Sequence, residues 1–70
     1  MRMYRIRVVT MSGKTLIEYA AITHPAVNEC LTLDGKRYMV TLVEHLLKTT
    51  VDGNGTTVSL DEVVIEVLKR

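Results

Sequence analysis

The sequence of 70 residues contains neither tryptophan nor phenylalanine, and it has only one cysteine and one proline. A single cysteine cannot form a disulfide within the chain, which excludes a disulfide framework. With three tyrosines as its only aromatic residues, the chain also lacks the aromatic grooves that bind proline-rich peptides. No run of 18 apolar residues occurs, so we predict that no segment spans a membrane.

Neither sign of charge dominates, since nine lysines and arginines stand against eight aspartates and glutamates. A net charge of +1 gives no overall attraction to nucleic acid or anionic lipid, so such a partner would need a local basic patch. Arg5 and Arg7 interrupt the N-terminal segment, which therefore differs from the apolar region of a signal peptide. We expect a cytoplasmic protein in which Cys30 stays reduced and is a small apolar core residue.

The length predicts a single domain, residues 1–70, with a small hydrophobic core. A core of this size supplies only about 3–5 kcal/mol of stability, so a further source of stability is needed. Disulfides are excluded, which leaves oligomerisation as the favoured source. We therefore predict a homo-oligomer.

The strongest local signal is Asp34-Gly35, which lies between two apolar runs. Asp and Gly tolerate the positive φ angles of a type I′ turn, so the pair predicts a β-hairpin. In the second strand of this hairpin Tyr38, Val40 and Leu42 alternate as an inward set, but the alternation breaks at Glu44. A straight strand of this length would exceed the usual ~17–20 Å, so we predict a bulge or bend near residues 42–44.

Alternating apolar residues predict further strands over residues 1–11, 15–23, 30–33 and 56–60. The segment 59–70 is ambiguous. Ser59 and Glu62 have the spacing of a capping box that would begin a helix, whereas the β-branched residues around Val63 favour a strand. We predict an all-β protein, either a small antiparallel barrel or a strongly bent sheet of about six short strands, SH3-like in general architecture. The alternative is a β-sheet with one C-terminal helix from Ser59.

Two glycine-containing turns resemble fragments of ligand-binding loops. The segment 12–15 ends in Gly-Lys-Thr like a phosphate-binding loop, but Val8 occupies the first position that requires glycine. The segment that begins at Asp52 fails as a calcium loop, because its twelfth position is Val63 where a glutamate is needed. Both segments are therefore interpreted as turns.

The only soft metal ligands are His24, Cys30 and His45, and their spacing matches no known arrangement of zinc ligands. No serine, threonine or cysteine has a neighbouring sequence typical of a nucleophile. We predict no catalytic residue, no cofactor and no metal site, and we expect that the protein is not an enzyme.

Two binding hypotheses remain. The favoured one is a non-catalytic small β-barrel interaction module that self-associates and binds another protein, because too many residues on the outward faces are apolar. Its possible interface consists of Met3, Val9, Met39, Val43, Val64 and Leu68. The alternative is nucleic-acid binding through a local basic patch around Arg5 and Arg7, with Arg2, Lys36 and Arg37 as further members.

Overall fold

The computed structural model describes residues 3–70, which form a single β-sheet of five strands. The sheet has the strand order β2-β1-β5-β4-β3 and is strongly curled, so that it resembles half of a barrel. Over these residues there is no helix long and apolar enough to cross a membrane. The strands are β1 (Tyr4–Thr10), β2 (Thr15–Ala21), β3 (Cys30–Leu33), β4 (Lys36–Asp52) and β5 (Gly55–Lys69).

The prediction of an all-β protein is confirmed, but the strand count and the pairing differ from expectation. The segments 56–60 and 59–70 belong to one continuous strand, β5, so there are five strands rather than about six. The helix considered from Ser59 is not formed, because the β-branched residues that follow pair with both neighbouring strands. The sheet is also not wholly antiparallel, since β5 returns beside β1 in the same direction.

The hairpin predicted at Asp34-Gly35 is confirmed. Both residues have positive φ angles, 52° and 79°, as a type I′ turn requires. Leu33 and Lys36 pair directly across this two-residue turn. Local backbone chemistry therefore fixes the register between β3 and β4.

The predicted irregularity in β4 is a β-bulge at Thr41, one residue before the expected position. The register with β5 shifts between Val40 and Leu42, and the Thr41 hydroxyl donates a hydrogen bond of 3.1 Å to the Glu66 carbonyl. Beyond the bulge Leu42 is exposed and Val43 packs against the core. Leu42 thus leaves the inward set assigned from the sequence, because the extra residue shifts the alternation by one position.

The core lies on the concave face of the curled sheet. Side chains that alternate along β1, β4 and β5 meet there, because every second residue of a strand faces the same side. Cys30 is exposed, so the prediction that it is a core residue is wrong. Its position in β3 places it on the convex face, directly opposite Met39. The buried core residues are Ile6, Val8, Tyr38, Val40, Val63, Ile65 and Val67.

Candidate functional site

The hairpin formed by β4 and β5 extends beyond the rest of the sheet. Strand β1 pairs with β5 only from Val63 onward, and β3 pairs with β4 only as far as Met39. Residues 47–60, which we call the arm, therefore pair only with each other among the strands of residues 3–70. Both backbone edges of the arm lack a neighbouring strand in this part of the chain.

The two faces of the arm differ in chemistry. One face continues the concave side of the sheet and carries Leu47, Val51 and Val58, which are 63%, 76% and 58% exposed. Thr49 and Thr56 lie on the same face as the cross-strand partners of the two valines. The opposite face carries Lys48 paired with Ser59, and two threonines paired with each other. Alternation of side chains along a strand produces this separation. The apolar face of the arm is thus an extension of the core side that the described residues leave uncovered.

The arm carries no net charge, since Lys48 and Asp52 are its only ionisable residues. A neutral, threonine- and valine-rich ribbon has no electrostatic attraction for phosphate groups. Its exposed apolar face is instead the kind of surface that marks a protein contact.

The six residues predicted as an interface do not form one continuous surface. Val9 is buried in the monomer, and Val43 packs against the core. Met39 and Leu68 lie directly opposite each other on adjacent strands. The remaining two are Met3, which is largely exposed, and Val64, which is half-buried.

The predicted basic patch is divided between two places. The Arg7 guanidinium donates to the Glu62 carboxylate, with an Nη2–Oε1 distance of 3.1 Å, and Glu18 lies opposite Arg7 on β2. Arg5 is exposed two residues away on the same strand, and Arg2 lies outside the described residues. Acidic neighbours therefore offset the charge of Arg7, whereas Arg5 lies opposite Ala20.

The other predicted members, Lys36 and Arg37, lie at the opposite end of the sheet. There the end of β5 brings Lys69 and Arg70 beside them, and the Arg70 amide donates a hydrogen bond of 2.9 Å to the Arg37 carbonyl. These four residues, with Gly35, line one shallow depression. We call the four cations Lys36, Arg37, Lys69 and Arg70 the basic cluster.

An apolar recess of about 180 Å³ lies next to the basic cluster on the concave face. Residues from β2 and β3, which lie at opposite edges of the sheet, contribute to its walls. Burial raises the pKa of the Tyr19 hydroxyl at its rim above the usual value, because the charged form loses hydration. The lining residues are Val8, Ile17, Tyr19, Leu31, Thr32, Leu33 and Tyr38.

Two of the three candidate metal ligands come together. The His24 ring, in the connection between β2 and β3, lies 5.0 Å from the His45 ring and 5.3 Å from the Tyr4 ring in edge-to-face contacts. Cys30 is not part of this group. Residues 3–70 contain no cluster of three or more His, Cys, Asp or Glu side chains that could hold a metal ion. Of these three rings, that of Tyr4 packs against the concave core.

Sequence reasoning missed the arm and the recess. The alternation of apolar and polar residues over 47–60 indicates a strand with one apolar face. Whether another strand covers that face depends on the strand order, which the alternation does not show. Comparison of the chain with protein-family models, with curated proteins and with solved structures finds no match.

Proposed function

We propose that the protein is a non-catalytic interaction module that self-associates through the apolar face of the arm. The observation that carries this proposal is the exposure of Leu47, Val51 and Val58 on one face of an uncharged two-stranded ribbon. Burying these side chains against a second copy removes apolar surface from water, which is the main driving force of association. A homodimer with twofold symmetry is the simplest assembly, because each copy offers the same self-complementary patch.

The size of the chain favours this assembly. A domain of 70 residues buries only about 60% of the surface that its unfolded chain exposes, so its own core gives limited stability. Association of two arms creates a second buried layer that continues the concave core. Stable interfaces usually bury about 800 Å² per partner, so contacts from the base of the arm must add to those of its tip.

We also propose binding of another protein in the cytoplasm, through the convex face. Met39 and Leu68 form an adjacent apolar pair there, and Leu42 is half exposed on the same face. In general architecture we compare the curled sheet with SH3-like barrels, and this comparison rests on its small size and curvature alone. The two proposed surfaces lie on opposite faces, so one copy could use both at once.

Self-association is tested by the solution mass of three charged variants, measured by light scattering over a range of protein concentrations. Val58→Lys places a charge on the apolar face of the arm, and we expect it to shift a wild-type dimer to monomer. Thr57→Lys is the matched control, because the adjacent residue faces the other side. Met39→Lys tests the convex face and should leave the dimer intact.

A monomeric wild-type protein at all concentrations contradicts the proposal. Equal dissociation by Val58→Lys and Thr57→Lys contradicts the assignment to one face of the arm. Dissociation by Met39→Lys alone would instead assign self-association to the convex face.

A further inference from the structure

The basic cluster concentrates four positive charges at one end of the sheet. The backbones of Arg37 and Arg70 pair on adjacent strands, and like charges at opposed positions repel each other. The Arg70 guanidinium donates a hydrogen bond of 3.5 Å to the Cys30 sulfur, and its charge has no acidic partner within residues 3–70. Within residues 3–70 the one salt bridge joins Arg7 to Glu62, far from this end of the sheet. Asp34, in the neighbouring turn, forms no salt bridge with the cluster. A bound anion would relieve the repulsion within the cluster.

The two lysines of the cluster border the apolar recess, whereas Arg37 and Arg70 alternate to the convex face and line the shallow depression from that side. Lys69 lies opposite Tyr38, and Lys36 lies opposite Leu33, on adjacent strands. Tyr38 and Leu33 both line the recess. A ligand that lies across this border therefore meets an apolar surface on one side and ammonium groups on the other.

The recess has the size of one flat ring. Its volume of about 180 Å³ is comparable to the ~150 Å³ cavities that admit benzene. Tyr19, which is 38% exposed, presents part of its ring at the rim. An aromatic side chain at the rim of such a recess offers a stacking surface for a planar group.

We propose that the basic cluster and the recess together bind single-stranded nucleic acid, with one base in the recess against Tyr19 and the phosphates on the cluster. A single strand combines accessible base faces with a regularly charged backbone, and proteins bind it by stacking together with a basic groove. A base inside a duplex is stacked on its neighbours and cannot enter the recess. The site is separate from the arm, so it goes beyond the proposed self-association.

The test is a fluorescence-anisotropy titration with labelled twelve-nucleotide oligo-uridine and oligo-thymidine at 50 mM and 200 mM salt. Four phosphate contacts predict a loss of affinity of about fifty-fold between these two salt concentrations. Arg37→Gln with Lys69→Gln leaves two contacts and should reduce the loss to about seven-fold. The control, Arg5→Gln with Lys48→Gln, removes the same charges elsewhere and should behave like the wild type.

The aromatic contribution is tested separately. Tyr19→Leu keeps the recess apolar but removes the ring, and we expect it to lower affinity about five-fold or more. Circular dichroism and thermal unfolding of every variant establish that the fold is retained. Failure of wild type to bind either oligonucleotide overturns the proposal.

Three further results overturn it. An equal loss of binding in the control variant would show non-specific attraction to any cation on the surface. Binding of tripolyphosphate as tightly as of the oligonucleotides, with no effect of Tyr19→Leu, would show a site for phosphate alone. Tighter binding to vesicles that contain phosphatidylserine would assign the cluster to a lipid headgroup.

Discussion

Replacement of Ile65 by alanine is expected to remove a large part of the stability of the fold. Ile65 is fully buried in the central strand β5, where it pairs with Val8 on one side and Val43 on the other. Its side chain therefore contacts both halves of the concave core. Strand β5 joins the β1–β2 hairpin to the β3–β4 hairpin, so a cavity at Ile65 weakens the packing of both.

The expected magnitude follows from burial and chain length. Truncation of a buried isoleucine to alanine costs about 2–5 kcal/mol. At about 0.05–0.15 kcal/mol per residue, a chain of this length has a total stability of roughly 3.5–10 kcal/mol. Ile65→Ala should therefore lower the free energy of unfolding by at least about a fifth. At the upper end of the cost and the lower end of the total stability, it should remove all of it.

The assay is urea denaturation followed by circular dichroism at one fixed protein concentration, since self-association would shift the midpoint. For a small protein with a slope near 1 kcal/mol per molar urea, the midpoint should fall by about 2 M or more. Val64→Ala is the matched control, because this neighbour is only half-buried on the convex face. If both variants shift the midpoint equally, the concave face is not the main core.

Three smaller predictions test particular contacts. Gly35→Ala should destabilise the protein by about 1 kcal/mol in urea denaturation, because a φ of 79° disfavours residues with a side chain; no change would contradict the type I′ turn. Glu62→Gln should cost about 1 kcal/mol, less at high salt, because it weakens the ion pair with Arg7; a salt-independent loss would refute this. The raised pKa of Tyr19 stabilises the fold below the unfolded pKa near 10, and this contribution is lost as pH rises through the folded pKa. Tyr19→Phe should flatten the fall in unfolding midpoint above pH 10, and an unchanged pH profile would contradict the partial desolvation of the Tyr19 hydroxyl.

Features that depend on neighbours in sequence could be predicted. The turn at Asp34-Gly35 follows from the φ preferences of two residues. The inward set of Ile6 and Val8 follows from simple alternation. The broken alternation before Glu44 indicated a bulge to within a residue, because a change of face needs one extra residue in the strand.

Features that depend on strand order could not be predicted. The sequence contains no local signal that places β5 beside β1, so an antiparallel sheet was the default expectation. The same order decides that Lys69 and Arg70 meet Lys36 and Arg37, whereas Arg7 meets Glu62. The exposure of Cys30 likewise depends on which face of β3 turns toward the core. Long-range pairing therefore determines both the candidate surfaces and the location of the basic cluster.

The parallel pairing of β1 with β5 also limits the rate at which the protein can fold. Arg7 and Glu62, which meet at this pairing, are 55 positions apart in the chain. Closing so long a loop costs entropy before its contacts are gained, and sheets dominated by distant pairs fold in milliseconds to seconds. Until β5 docks, the β1–β2 hairpin exposes Ile6 and Val8 to solvent. The protein thus passes through a period in which its own core strands are open to pairing with other chains, and folding at high concentration competes with aggregation.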